Sequence, residues 1–297
     1  MNNKPVHVIS HPYLGQYSNS FVMEDENCSI FIDSGLNGNA NLLEPFLNKE
    51  DLVLFGTHGH WDHIGLHAYL KEKNVELYAH EGDRHYLEDF KWHWQVLFGQ
   101  YANDFDLPDA RWTIFQNCIG SPVTTDKTIA DGDTYCFDGL IFEVIHTPGH
   151  SNGSVCLFEH KNNVLFTGDT LMGKGFFSGI PQYTDPVAYI KSMEKLKKLS
   201  PDVVYSCHNE PLDGKILASK AQEGIDTVES IENWVETYLK DKSSDTDLSL
   251  RNLVAFVCEK QGKSVGGGAC VSVMSHIRRL KLKYPIVEKI IHTHEEE

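Results

Sequence analysis

The stretch Thr57-His58-Gly59-His60-Trp61-Asp62-His63 places three imidazoles and a carboxylate within six residues. In an extended segment residues i and i+2 share a face, so His58 and His60 can grip one ion. Asp62 and His63, past the bend, point elsewhere and could hold a second. Imidazole and carboxylate together suit zinc, iron or manganese better than calcium or magnesium. A chain with 16 histidines in 297 residues will bring two together by chance. Four potential ligands in the pattern H-x-H-x-D-H point instead to a metal site.

The flanking sequence says what must position this cluster. Leu52-Val53-Leu54-Phe55 has the length and composition of a buried strand, and residues 64–73 read as a helix, so the cluster sits on a strand-to-helix loop at a sheet edge. Three later polar residues also follow apolar strand-like runs. They are His150 in Pro148-Gly149-His150, Asp169 in Gly168-Asp169, and His208 after Tyr205-Ser206-Cys207. Taken singly, His150 could be a turn histidine and Asp169 a helix cap. Their recurrence at strand ends predicts loops converging on one edge.

Short β-type runs are expected at 6–9, 20–23, 28–33, 52–55, 75–79, 141–145, 154–158, 164–167 and 202–206. A short helix is expected over 39–48. An amphipathic one is expected from Asp185 to Leu199, with Asp185 as its N-cap and Pro186 at the first helical position. Between Glu81 and Trp112 aromatic residues, including Trp92 and Trp94, crowd a segment without strand alternation. It reads as a helical insertion to about residue 100, then a loop. It could be ordinary core packing or an apolar wall over the site. Beyond Pro211 only helices are expected, over about 212–239, 247–260 and 271–283. The chain thus divides into a domain over 1–212 and a helical C-terminal extension over 213–297 that could act as a lid, an interface or a small appended domain.

A chain of this length can bury a large core, and 41% apolar with 23% charged residues is ordinary for a soluble globular protein. Net charge of −16 argues against nucleic acid as the main partner. The start lacks the apolar stretch of a secretory signal, and no apolar run approaches a membrane span. Seven scattered cysteines without a C-x-x-C pattern favour reduced thiols, so the expected setting is cytoplasmic.

Five separated motifs resemble those of the metallo-β-lactamase superfamily, in that family's order and over roughly residues 5–212. They are Asp33-Ser34-Gly35, the His58-to-His63 loop, Thr147-Pro148-Gly149-His150-Ser151, Thr167-Gly168-Asp169-Thr170 and the loop carrying His208. The resemblance implies an α+β fold, a four-layer αββα sandwich with the site at one edge of two packed sheets. It implies that His58, His60 and His150 bind a first metal, that Asp62, His63 and His208 bind a second, and that Asp169 bridges them. Asp33 resembles an outer position that fixes a ligand imidazole, though a strand-ending turn would serve there equally. Many members carry Gly-His-Gly where this chain has Cys207-His208-Asn209, which puts the geometry of that loop in question.

The cofactors so implied are two divalent ions, zinc foremost, with iron or manganese as alternatives. The chemistry implied is hydrolysis by a metal-bridging hydroxide, with Asp62 able to take or return a proton. Helices after the fifth motif resemble the glyoxalase II-like and quinolone-signal thioesterase branch. The expected substrate is therefore a small molecule, a carboxylic thioester or ester whose apolar acyl or aryl part faces Trp92 and Trp94. An acyl-homoserine lactonase is the nearest alternative. Its characteristic tyrosine falls at Met172 here, leaving Tyr183 as a substitute contact to substrate. A phosphodiesterase, or a metal-binding regulatory protein with little turnover, stays open, as does a homodimer.

Overall fold

The computed structural model describes residues 5–13, 16–101, 110–171, 180–241, 248–265, 267–281, 283, 284 and 290. Met172, the loop around Pro108, the segment parting the first two C-terminal helices and the acidic C-terminus lie outside them.

Among the described residues twelve strands form two six-stranded sheets. The first contains β1 (Val6–Tyr13), β2 (Gln16–Glu24), β3 (Cys28–Ile32), β4 (Asp51–Phe55), β5 (Glu76–His80) and β6 (Lys127–Ile129), side by side in chain order. The second runs β12 (Leu212–Asp213), β11 (Val203–Tyr205), β10 (Val164–Phe166), β9 (Val155–Glu159), β8 (Leu140–His146) and β7 (Thr134–Phe137). Strand alternation builds the layers. Phe21, Met23, Ile30, Ile32, Val53 and Phe55 of the first sheet face Phe142, Val144, Val155, Leu157 and Phe166 of the second. Their intervening neighbours, Val22, Phe31 and Leu54 on one side and Ile145, Cys156 and Leu165 on the other, face outward into helices. Sheets covered on both faces need apolar residues on both, which is why these strands read as continuous apolar runs.

The helices are α1 (Trp61–Ile64), α2 (His67–Glu72), α3 (Arg84–Glu88), α4 (Phe90–Leu97), α5 (Ala110–Ile119), α6 (Pro186–Leu196), α7 (Leu217–Asp241), α8 (Leu250–Lys260) and α9 (Gly267–Leu280). With them the chain is the expected four-layer αββα sandwich. Asp185 caps α6 by accepting from Val187 and Ala188 N–H. On the second sheet's outer side one apolar cluster runs from Leu165 and Val204 through Met193 of α6 to Val228 of α7, Val254 of α8 and Met274 of α9. No described helix is long and apolar enough to cross a membrane.

Several elements depart from the sequence reading. The expected helix at 64–73 breaks into α1 and α2, and residues 39–48 hold two three-residue 3₁₀ turns. The aromatic segment continues into α5. The edge strands β6, β7 and β12 escape notice because two to four residues carry too little alternation. β12, where a helix was expected to begin, is held by antiparallel pairing with β11.

Candidate metal centre

The residues singled out follow β3, β4, β8, β10 and β11. Strands β3 and β4 are parallel, as are β10 and β11, and two antiparallel steps through β9 make β8 parallel to β10. All five loops therefore leave the sandwich at strand C-termini. Thr57 O accepting from Val155 N–H at 2.8 Å, and Cys207 O accepting from Asn19 N–H at 2.7 Å, tie the two sheets at that edge.

Seven buried side chains meet there. The ligand atoms of His58, His60 and His150 lie within 4.8 Å of one another, as do those of Asp62, His63 and His208. Asp169 stands between the groups. Its Oδ2 is 3.1 Å from His208 Nε2 and 3.7 Å from His150 Nε2, while its Oδ1 is 3.5 Å from His63 Nε2. His60 reaches this arrangement as the residue before α1, which turns Asp62 and His63 inward on the next turn. Gly59 between the two leading histidines has no room for a side chain, since a Cβ would stand 2.4 Å from the Cβ of Tyr86.

Hydrogen bonds on the far side of four of the five rings, all but His60, fix which nitrogen faces inward. His150 Nδ1–H donates to Gln182 O at 2.7 Å, and His208 Nδ1–H to Tyr17 O at 3.1 Å. A carbonyl can only accept, so both rings present an unprotonated Nε2 when neutral. His63 Nδ1 lies 2.8 Å from Asp33 Oδ2. Thr57 commits its hydroxyl proton to Asp33 Oδ2 at 2.7 Å, so its oxygen accepts from His58 Nδ1–H at 3.2 Å. His58 Nε2 and His60 Nδ1 consequently stand 3.1 and 2.8 Å from His150 Nε2, and in the neutral rings lone pairs of His58 and His150 face each other. Such a convergence is repulsive unless a cation or a proton lies between the nitrogens. His63 Nε2 and Asp169 Oδ1 likewise have no hydrogen-bond partner although buried. Unpaired acceptors aimed at a common point fit divalent ions of the zinc, iron or manganese class.

The two groups differ in charge. Burial, followed by the neighbouring imidazoles, holds His58 and His60 well below the usual histidine range, and burial also lowers His150. Burial opposes charge at His63 and His208 as well. There the carboxylates of Asp169 and Asp62 outweigh it, raising His208 and holding His63 well above that range. Asp169 in turn is held well below the ordinary carboxylate range, because His208 and His63 outweigh its burial.

Asp33 occupies the left-handed region at φ 57°, an uncommon place for a residue with a side chain. Its carboxylate compensates by accepting from Thr57 N–H at 2.7 Å, from the Thr57 hydroxyl, and from His63. Cys207, where a glycine is common in the family resembled, sends its thiol toward Asp33 Oδ2 at 3.4 Å. The thiol so lies behind His63, and His208 Nε2 stands 3.1 Å from Asp169 Oδ2.

Other expected contacts lie elsewhere. Tyr183 is not brought to the cluster: its ring is fully buried and its hydroxyl is 2.8 Å from His276 Nε2 in α9, leaving no free face for a substrate. Trp94 packs among Phe98, Trp112 and Phe115. Trp92 is 39% exposed and reaches the site only through Tyr86, whose ring lies edge-on to it at 5.0 Å and edge-on to His60 at 5.2 Å.

Three side chains escaped the sequence reading. Tyr86 is the aromatic that touches the histidines. Tyr13, at the end of β1, points its hydroxyl at Asp62 Oδ2 from 3.5 Å. Asp83, just after β5 and buried, accepts from Gly59 N–H and Gly153 N–H at 2.7 Å each and from the Ser151 hydroxyl at 2.6 Å. It therefore ties the loop of His58 and His60 to the loop of His150. Burial raises its pKa despite those three donors. An acidic residue after a strand carries no such meaning by itself, because its partners lie 24 to 70 positions away.

Comparison with known proteins bears on the family and the fold. The family model described as "Metallo-beta-lactamase superfamily" matches residues 14–208. Hydroxyacylglutathione hydrolase GloC of Haemophilus influenzae is 34% identical over 165 residues, covering 54% of this chain and 69% of the relative. Acyl-coenzyme A thioesterase MBLAC2 of Gallus gallus is 26% identical over 204 residues, 62% of this chain and 68% of the relative. A metallo-beta-lactamase family protein from Thermus thermophilus superposes with a TM-score of 0.75 over 94% of this chain and 93% of that one. Its 17% identity makes this a likeness of fold.

Proposed function

The chain belongs to the metallo-beta-lactamase superfamily, and from that premise we propose that it is a binuclear metal-dependent hydrolase of carboxylic thioesters. The observation that carries this reading is the pair of buried ligand groups with Asp169 between them. His58, His60 and His150 would hold one divalent ion and Asp62, His63 and His208 the other, zinc being the first choice for this donor set. When bound, such ions supply Lewis acidity and a water of lowered pKa.

The chain's own residues do the remaining work. Gln182 O, Tyr17 O, Asp33 and the Thr57 hydroxyl hold four imidazoles in the tautomer that turns Nε2 inward. Asp62, beside the Tyr13 hydroxyl, is the group placed to take a proton from the nucleophile and return it to the leaving thiolate. Burial of the cluster keeps bulk water away from both. Tyr86, with Trp92 behind it, supplies an apolar surface next to His60 for an acyl or aryl group.

Thioesters are preferred because the two curated relatives described above bear the names of a hydroxyacylglutathione hydrolase and an acyl-coenzyme A thioesterase. The Tyr183 hydroxyl, engaged with His276, gives the lactonase alternative no support. A cytoplasmic setting, where glutathione and coenzyme A esters occur, belongs to the same proposal. The test is thiol release from glutathione and coenzyme A esters by protein loaded separately with zinc, manganese and iron(II). Release with at least one metal, lost by more than about 100-fold in His60→Ala, supports the proposal; that limit is the upper range for residues that merely orient a ligand. Silence across the panel refutes the substrate class.

A further inference from the structure

The carbonyl that orients His150 belongs to Gln182, in the segment between β10 and α6, and this segment is gripped from the C-terminal helices. Ser272 of α9 is fully buried, and its hydroxyl brackets Gln182. It accepts from Tyr183 N–H at 3.1 Å and shares its proton between Pro181 O, the nearer at 2.7 Å, and Gly268 O of its own helix at 3.0 Å. The peptide units on both sides of the Gln182 α-carbon are thereby held by one side chain 90 positions away. One turn further along α9, His276 Nε2 meets the Tyr183 hydroxyl at 2.8 Å. One turn back, Gly268 gives Gln182 its space, since a Cβ there would stand 3.2 Å from both Cβ and Oε1 of Gln182. The same segment closes on the His150 loop from outside, with Thr184 N–H donating to Gly149 O at 2.7 Å.

We propose that Ser272 is a positioning residue for His150, so that the C-terminal helices form part of the scaffold of the metal centre. An appendage serving as a lid or an interface would need no buried hydroxyl directed at the backbone on either side of a ligand's hydrogen-bond partner. Orientation of a ligand imidazole by its outer partner sets how well its Nε2 points at the ion. Loosening Gln182 should therefore weaken the ion held by His58, His60 and His150 and spare the one held by Asp62, His63 and His208.

The inference rests on the metal reading above, and the experiment separates the two. Zinc affinity of the full chain is measured by chelator competition, with cobalt(II) absorption as the spectroscopic readout, for wild type, Ser272→Ala, Ser272→Thr and Ser275→Ala. Ser275 is a buried serine on the same helix whose hydroxyl bonds only within it, to Ser272 O at 2.7 Å, so its variant controls for loss of helix stability. The expected result is a loss of roughly tenfold for one of two ions in Ser272→Ala, the low end for an outer partner. That loss comes with an altered cobalt spectrum, recovery in Ser272→Thr, and both ions within about twofold of wild type in Ser275→Ala. Equal binding by wild type and Ser272→Ala, or an equal loss in Ser275→Ala, overturns the inference and leaves the metal reading standing. A wild-type chain that binds no zinc overturns both.

Discussion

The two ligand groups at the strand ends share a carboxylate but are assembled in opposite ways. His58, His60 and His150 are three imidazoles that burial and mutual proximity keep neutral, braced from outside the first sheet by Asp83 and from the second by Gln182. Asp62, His63 and His208 instead form a mixed set in which neighbouring carboxylates raise the imidazoles' affinity for protons against burial, with Asp33 behind His63. Metal ions and protons compete for the same nitrogens, so an ion in the second set should meet stronger competition from protons than one in the trio. Under the proposed function, one end of the sandwich would offer two ions different terms.

Removing Asp83 is the harshest way to break this comparison. Asp83→Ala leaves two buried N–H groups and a hydroxyl without their acceptor. At about 1 kcal/mol or more for each, it should cost roughly 3 kcal/mol, read from urea unfolding of the metal-free chain. Zinc competition should show the ion of the histidine trio weakened more than its neighbour. Asp33→Asn acts on the other group. Loss of the carboxylate that bonds His63 directly should weaken the ion of Asp62, His63 and His208 by about 10- to 100-fold, and the trio's ion less, through the Thr57 hydroxyl that orients His58. Were both variants to weaken the same ion more, the two groups would not be separately braced.

Histidines outside either group sharpen the comparison with the smallest effect. Burial lowers His11 and His67 to about 4 and His93 to about 3. A histidine whose folded pKa lies below its unfolded value of about 6.5 stabilises the fold fully above that pH and loses the contribution as pH falls toward the folded value. In the metal-free chain each should add at most about 1.4 kcal/mol of lost stability per pH unit below about pH 6. His93→Gln should flatten the dependence of the urea midpoint on pH over that window. An unchanged slope would show that His93 is not buried neutral.

How much of this was legible in the sequence depended on range. The ligands stand at the ends of apolar strands, and the pattern of strand, turn and ligand recurs, so His58, His60, Asp62, His63, His150, Asp169 and His208 could be singled out before any of them was seen to converge. The four layers were an implication of the family resemblance that the motif order carries. The braces were not legible. Asp83, Ser272 and the Gln182 carbonyl are single residues of ordinary type whose meaning lies in partners 24 to 91 positions away. Tyr183 was expected at the substrate only as a substitute from the next loop, because Met172 stands where the resembled lactonases carry their tyrosine. Distance along the chain does not reveal that α9 lies behind it and engages its hydroxyl. Tyr13, near the start of the chain, reaches Asp62 only because β1 and β2 form a hairpin whose end projects toward the site.

The most direct test of the account is the zinc content of the chain at equilibrium from about pH 7.5 to about pH 5, the range in which imidazoles compete with metal. The account predicts two ions per chain at the upper end and a stepwise loss on acidification. The first ion to leave should be absent from His208→Ala at every pH, and the acid-resistant one absent from His60→Ala. Simultaneous loss of both ions, or an acid-resistant ion that survives His60→Ala and vanishes in His208→Ala, would contradict it.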